Sequence, residues 1–184
     1  PACMAICYDK QIVRLVAAAQ GIPVPREVCL APDEPLPEQS DLFPALIKPN
    51  QGDGSVGITK DALVRSPEEA QRYLAWLHRE LPGRATLVQE YLPGPEYGVG
   101  LIGNPQSRLE ALPALEVDFT GLPAGLAPIL SFESKVLPDS PYWTEIRFRR
   151  AQADAEVLAR MVGHAKRLFA RLGCRDYGRF DFRG

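Results

Sequence analysis

No apolar run in this sequence approaches the roughly 20 residues a membrane-spanning helix needs. The excess of basic residues expected of a nucleic-acid-binding face is also missing, because 21 Lys and Arg meet 23 Asp and Glu for a net charge of -2. Paired cysteines are lacking as well. Cys3, Cys7, Cys29 and Cys174 stand at spacings that match neither zinc pairs nor a disulfide framework, so they read as reduced thiols of a cytoplasmic protein. The first residues, Pro1 to Cys7, have no basic start and too short an apolar core for a signal peptide. The chain begins without Met and stops at Gly184 directly after an apolar strand-like run, which reads as a piece of something longer. No nucleic-acid or membrane partner is expected.

What is present is the composition of a soluble globular protein, 46% apolar and 24% charged, with room in 184 residues for one domain or two small lobes. The stretch that organises the rest is Ala45-Leu46-Ile47-Lys48-Pro49 followed by Asn50 to Gly57, a strand ending on a lysine and then a run with three glycines. Glycines let the backbone turn tightly, and converging N–H groups in such a loop attract anions, with Lys48 supplying the charge. Gly52-x-Gly54-x-x-Gly57 matches a dinucleotide fingerprint in letters, but that fingerprint requires a helix directly afterwards, and Ile58-Thr59-Lys60 reads as strand. A Walker A loop fails because Gly57 is followed by Ile58. The kinase set HRD and DFG is absent. A phosphate-binding flap remains, and so does an ordinary glycine-rich hairpin.

Along the chain, Asp9 caps a helix through Gln20, Gly21 stops it, and Glu27 to Leu30 is a short strand. Three prolines make Ala31 to Ser40 a surface connection. Ser66-Pro67-Glu68-Glu69 opens a helix with a capping box, and Ala70, Tyr73, Leu74, Leu77 and Leu81 form its apolar stripe. Thr86 to Leu92 is a strand halted by Pro93-Gly94-Pro95, which leaves backbone groups at Glu90 to Leu92 free for an adenine edge or makes a plain corner before Glu96 to Ile102. Leu109 to Phe119 reads as one strand, Thr120 to Leu130 as a loop, and Ala151 to Leu172 as the longest helix, with His164 on its solvent side and without a chemical role. In Tyr177 to Phe182, alternation puts Arg179 and Asp181 on one face, as a salt bridge or as an oxyanion stabiliser beside a metal ligand.

The order Asp9-Lys10, Gly21-Ile22-Pro23-x-Pro25, Ile47-Lys48-Pro49, Gly54-Ser55-Val56-Gly57, Val88-Gln89-Glu90-Tyr91-Leu92-x-Gly94-x-Glu96, Glu133-x-Lys135, Leu172-Gly173-Cys174 and Gly178-Arg179-x-Asp181 resembles the ATP-grasp carboxylate-amine ligases, D-alanine-D-alanine ligases above all. The resemblance implies an α+β ATP-grasp fold, here partial, with two lobes of antiparallel sheets and flanking helices. It divides the chain into 1–40, a helix and connection; 41–103, the ATP-binding lobe with the flap; and 104–184, part of the C-terminal lobe.

It further implies ATP and Mg²⁺ as cofactors, small amino-acid-like substrates, a role in peptidoglycan synthesis, and a homodimer in the full-length protein. Lys10, Lys48 and Lys135 would hold phosphates, and Ser55, Val56 and Gly57 would form the flap tip. Gln89, Glu90, Tyr91 and Leu92 would be the adenine hinge, and Glu96 would bind the ribose. Arg179 would stabilise the tetrahedral intermediate and Asp181 would ligate magnesium.

The sequence departs from the family at three places. Gly54 stands where a serine is usual, Val136 where a tyrosine is usual, and Gln89 where the hinge acid is usual. Family members also carry an N-terminal domain and a later Glu-x-Asn pair that this chain lacks, so the isolated 184 residues are expected not to complete the reaction. A nucleotide-binding module without catalysis, or a ligase for other amino acids, are the alternatives.

Overall fold

The computed structural model describes residues 2–37 and 40–184; Pro1 lies outside them, as do Glu38 and Gln39 of the expected connection 31–40. The chain forms α1 (Ala2–Cys7), α2 (Lys10–Ala19), β1 (Glu27–Leu30), β2 (Ala45–Pro49), β3 (Leu63–Val64), α3 (Pro67–Glu80), β4 (Thr86–Glu90) and β5 (Glu96–Gly103). It continues through β6 (Leu109–Ala111), β7 (Leu115–Asp118), α4 (Glu133–Val136), α5 (Pro141–Thr144), β8 (Arg147–Arg150), α6 (Ala155–Arg171) and β9 (Tyr177–Arg183).

Two antiparallel sheets result. The first has the order β1-β4-β2-β3; in the second β5 is central, with β9 along one side and β6 and β7 sharing the other, and β8 outside β7. The sheets part the chain at Pro93-Gly94-Pro95, where proline cannot donate to a ladder. β2 alternates buried Ala45, Ile47 and Pro49 with Leu46 and Lys48, so the strand period itself turns Lys48 to the face opposite the core.

α3 covers the core side of the first sheet. Ser66 accepts from the Glu69 N–H at 3.3 Å, and the Glu69 carboxylate accepts from Arg65 N–H at 2.7 Å, one residue ahead of the reciprocal bond a capping box makes. Ala70, Tyr73, Leu74 and Leu77 are buried against Ile47, Leu63 and Val88, with Leu81 partly buried. α6 lays Met161, Ala165 and Phe169 on Val99 and Leu101 of β5, and its Leu168 and Leu172 meet Ala17 and Ile22 beside α2.

Three expectations are corrected. Ile58 to Lys60 is not a strand: Ile58 N–H donates to Ser55 O, Thr59 N–H to the Tyr73 hydroxyl and Lys60 N–H to Glu133, so a turn and two side chains take the bonds a ladder would use. The strand after the flap is β3, three residues later. Leu109 to Phe119 is broken at Leu112 to Ala114, around Pro113. The long helix starts at Ala155 and not Ala151, because Ala151 and Gln152 N–H groups donate to Ala114 O and the Glu116 carboxylate. Ser131 to Val136, which no periodicity classified, contains the single turn α4.

Candidate functional site

Asp9 and Asn50 join the start of α2 to the root of the flap. Asp9 accepts from the Ile12 N–H at 3.0 Å as helix cap and from Asn50 Nδ2 at 2.9 Å, while Asn50 Oδ1 accepts from the Gln11 N–H at 2.9 Å. Asn50 is buried, as such a saturated amide must be. Lys10 Nζ then donates to Gly52 O at 2.8 Å and Asn50 O at 3.3 Å. Burial lowers its pKa, opposed by the charges of Asp53 and Asp9.

The flap tip is held in shape. Ser55 takes a positive φ of 59° and its hydroxyl donates to Leu130 O at 2.8 Å. Gly57 has φ 75°, and a Cβ there would lie 2.7 Å from Pro49 Cγ, so only glycine fits. Val56 between them is exposed. Phe132 N–H donates to Ile58 O at 2.7 Å, so the outgoing limb leans on the segment that leads into α4 and Lys135.

On the first sheet a chain of polar side chains crosses three strands. Lys48 Nζ donates to Gln89 Oε1 at 2.8 Å, Gln89 Nε2 donates to Glu27 Oε2 at 2.6 Å, and Arg14 Nε lies 3.4 Å from Glu27 Oε1. Glu27 and Gln89 are register partners across β1 and β4, as are Leu46 and Gln89 across β2 and β4. Glu27, one strand over, thus places a carboxylate beside Gln89, with the amide bridging it to Lys48. Burial pulls the Lys48 pKa down to about 8; Glu27 and Glu96 counter it, and Lys10 adds to it. Neither Glu27 nor Arg14 was a candidate from the sequence, because the pairing of β1 with β4 is what places them.

The hinge is partly occupied. Glu90 N–H donates to Arg26 O and Tyr91 N–H to Pro44 O, which corrects the expectation of a wholly free backbone from Glu90 to Leu92. The Glu90 carboxylate binds Arg26 Nε at 2.8 Å and Arg26 N–H at 2.8 Å, a structural clip on β1. Pro44, opposite Tyr91, has no N–H to give back. Among the described residues the Tyr91 carbonyl and the Leu92 N–H have no hydrogen-bond partner.

Arg183, unremarked in the sequence, gathers the far end of the hinge. It donates to Leu92 O at 2.6 Å, Glu96 Oε2 at 2.8 Å, the Tyr91 hydroxyl at 2.6 Å and Pro128 O at 2.8 Å, and its guanidinium lies 4.6 Å from the centre of the Tyr91 ring. The alternation of β9 carries the signal that could have found it, since Arg179, Asp181 and Arg183 share one face. Burial raises the Glu96 pKa and Arg183 restrains the rise.

Arg179 and Asp181 form a two-point ion pair at 2.8 and 3.2 Å, the salt-bridge alternative, on exposed side chains. Lys135 on α4 has its pKa lowered by burial and by Arg179, while Asp181, Glu96 and Asp53 act the other way. A cavity of about 690 Å³ is lined by Lys60, Arg65, Arg72, Trp76 and Glu133 among others and by none of the expected ATP residues. No helix among the described residues is long and apolar enough to cross a membrane.

Residues 20–184 match the family described as D-ala D-ala ligase C-terminus. A D-alanine–D-alanine ligase of Methylibium petroleiphilum is 32% identical over 183 residues, 96% of this chain and 52% of that protein. One from Mycolicibacterium vanbaalenii is 28% identical over 182 residues, 95% of this chain and 46% of that protein. The crystal structure of the Bacillus anthracis D-alanine–D-alanine ligase complexed with ATP superposes with a TM-score of 0.73 at 19% identity, covering 100% of this chain and 52% of that one, which shows the fold. The chain spans about half the length of the curated relatives it matches. It has the α+β fold of these ligases and belongs to the D-ala D-ala ligase C-terminus family.

Proposed function

We propose that the protein works as an ATP-dependent carboxylate–amine ligase and that this chain supplies most of its nucleotide site. The observation that carries the reading is the hinge, where among the described residues the Tyr91 carbonyl and the Leu92 N–H have no hydrogen-bond partner and offer an acceptor and a donor to an adenine edge. Phosphoryl transfer needs positioning and charge neutralisation more than a protein nucleophile, and lysines with a divalent cation supply both.

In the reaction a carboxylate oxygen attacks the γ-phosphorus of ATP, giving an acyl phosphate and ADP. An amine then attacks the acyl carbon and phosphate leaves, so an amide or peptide bond forms. Lys10, Lys48 and Lys135 hold the phosphates, and Ser55, Val56 and Gly57 cover them. The hinge from Gln89 to Leu92 reads adenine through the Tyr91 carbonyl and Leu92 N–H, and Glu96 takes the ribose hydroxyls. Arg179, released from Asp181, stabilises the oxyanion.

Magnesium commonly binds through one or two carboxylates plus substrate phosphates, and Asp181 fits as one such carboxylate. When bound there, the ion would neutralise phosphate charge. The same reading divides the chain into 1–40, 41–103 and 104–184, with β5 at the end of the second part pairing with β6, β7 and β9 of the third. Gly54 and exposed Val136 lack the hydroxyls usual near the first D-alanine, so the amino-acid substrate and the role in peptidoglycan synthesis are what remain to be tested.

Calorimetry of ATP with Mg²⁺ on wild type, Lys48→Ala and Lys135→Ala tests the site. Loss of a phosphate contact costs about 1.5–3 kcal/mol, roughly tenfold to a hundredfold in Kd. Binding indifferent to both substitutions overturns the assignment.

A further inference from the structure

Cys3, Cys7 and Cys174, set aside on spacing because no two of them form a zinc-type pair, come together in space. Cys3 and Cys7 are one turn apart on α1, and Cys174 follows Gly173 at the end of α6, 171 residues from Cys3. Their sulfurs all lie within 4.8 Å of one another, with Cys3 and Cys174 4.0 Å apart. All four cysteines of the chain are free thiols, and Cys29 is not in the cluster.

That spacing suits a metal. Zinc–sulfur bonds of about 2.3 Å put thiolate sulfurs about 3.8 Å apart in a tetrahedral site and about 4.0 Å apart in a trigonal one. We infer that the three thiols form a binding site for a soft, thiol-seeking cation of the Zn²⁺ class, joining α1 to the α6–β9 turn, with an open coordination position on the side of exposed Cys7. Each coordinated thiol releases its proton to solvent as the sulfur–metal bond forms, so binding strengthens as pH rises. Burial and the neighbouring Cys7 and Cys3 push the Cys174 thiol up to about 12. No residue of the proposed ATP site contributes to the cluster. The site also gives α1, which has no buried residue, a fixed attachment to the body of the molecule.

The test is titration of the fully reduced, intact protein with Co²⁺, whose thiolate charge-transfer absorption reports sulfur ligands, followed by displacement with Zn²⁺. One equivalent is expected to bind with that absorption, to be displaced by Zn²⁺, and to leave the spectrum unchanged in Cys29→Ser. Cys174→Ser and Cys7→Ser are expected to lose the band; the latter alters an exposed residue and so serves where the former fails to fold, as checked by circular dichroism. Absence of the band in the reduced wild type, its survival in folded Cys174→Ser or Cys7→Ser, or its equal loss in folded Cys29→Ser overturns the inference.

Discussion

The two halves of the proposed nucleotide site are built differently. On the first sheet, Lys48, Gln89, Glu27 and Arg14 form a continuous chain of polar contacts, and the Glu27 side chain is only 3% exposed. On the second sheet, Arg179 and Asp181 neutralise each other with side chains 66% and 57% exposed, and Lys135 stands on a single helical turn. The first half is fixed before any ligand arrives, since each of its groups already has its partner. The second is screened by water and can exchange partners at little cost. A ligase that must seize phosphates and then let a reacting centre rearrange would divide its labour in this way.

The sharpest test of that contrast is Gln89→Leu, which removes the bridge and leaves a buried ammonium and a buried carboxylate each short of a bond. It should destabilise the fold by about 3 kcal/mol, read as a shift of the urea midpoint. In the second half, Asp181→Asn should change stability by less than about 1 kcal/mol, because exposed pairs contribute little. Equal losses from the two substitutions would erase the distinction.

Next in size is the separation of binding from stability. Lys135→Ala should weaken ATP about tenfold or more while leaving the urea midpoint nearly in place, since exposed Lys135 donates no described hydrogen bond that holds the fold. If the midpoint falls as far as in Gln89→Leu, Lys135 is structural.

A smaller effect follows from pH. Lys48 has a folded-state pKa of about 8 against 10.5 for the ordinary group, so between those values the unfolded chain binds more protons and stability rises with pH. Over the same window the ammonium that meets phosphate is being lost. ATP affinity should therefore fall as pH passes about 8 while stability to urea rises, and Lys48→Arg should flatten both trends. Parallel changes in the two would refute the assignment of Lys48 to both roles.

Much of the fold was legible in residues with strong local physics. Asp9, Ser66 and the φ of Gly21 and Gly173 mark helix ends as their types require, and the period of β9 separates Arg179 and Asp181 from Phe180 and Phe182. What was missed has little local signal. α1 is six residues long with none buried, α5 is four, and β8 is exposed at every position, held by Arg149 against Glu116 and Asp118. Ile58 looked like strand because its propensity is for strand, and a tyrosine hydroxyl and a glutamate from elsewhere took the neighbouring bonds instead.

The sequence by itself determined the ligase resemblance, the lysine at the root of the flap and the order of the chemical groups, because caps, glycine turns and strand alternation act over a few residues. Only the tertiary structure decided that Glu27 bonds to Gln89, that Arg183 grips the hinge, and that three cysteines meet. Each of those depends on strand register or on chain segments brought together from far apart, and neither is set by local backbone preference.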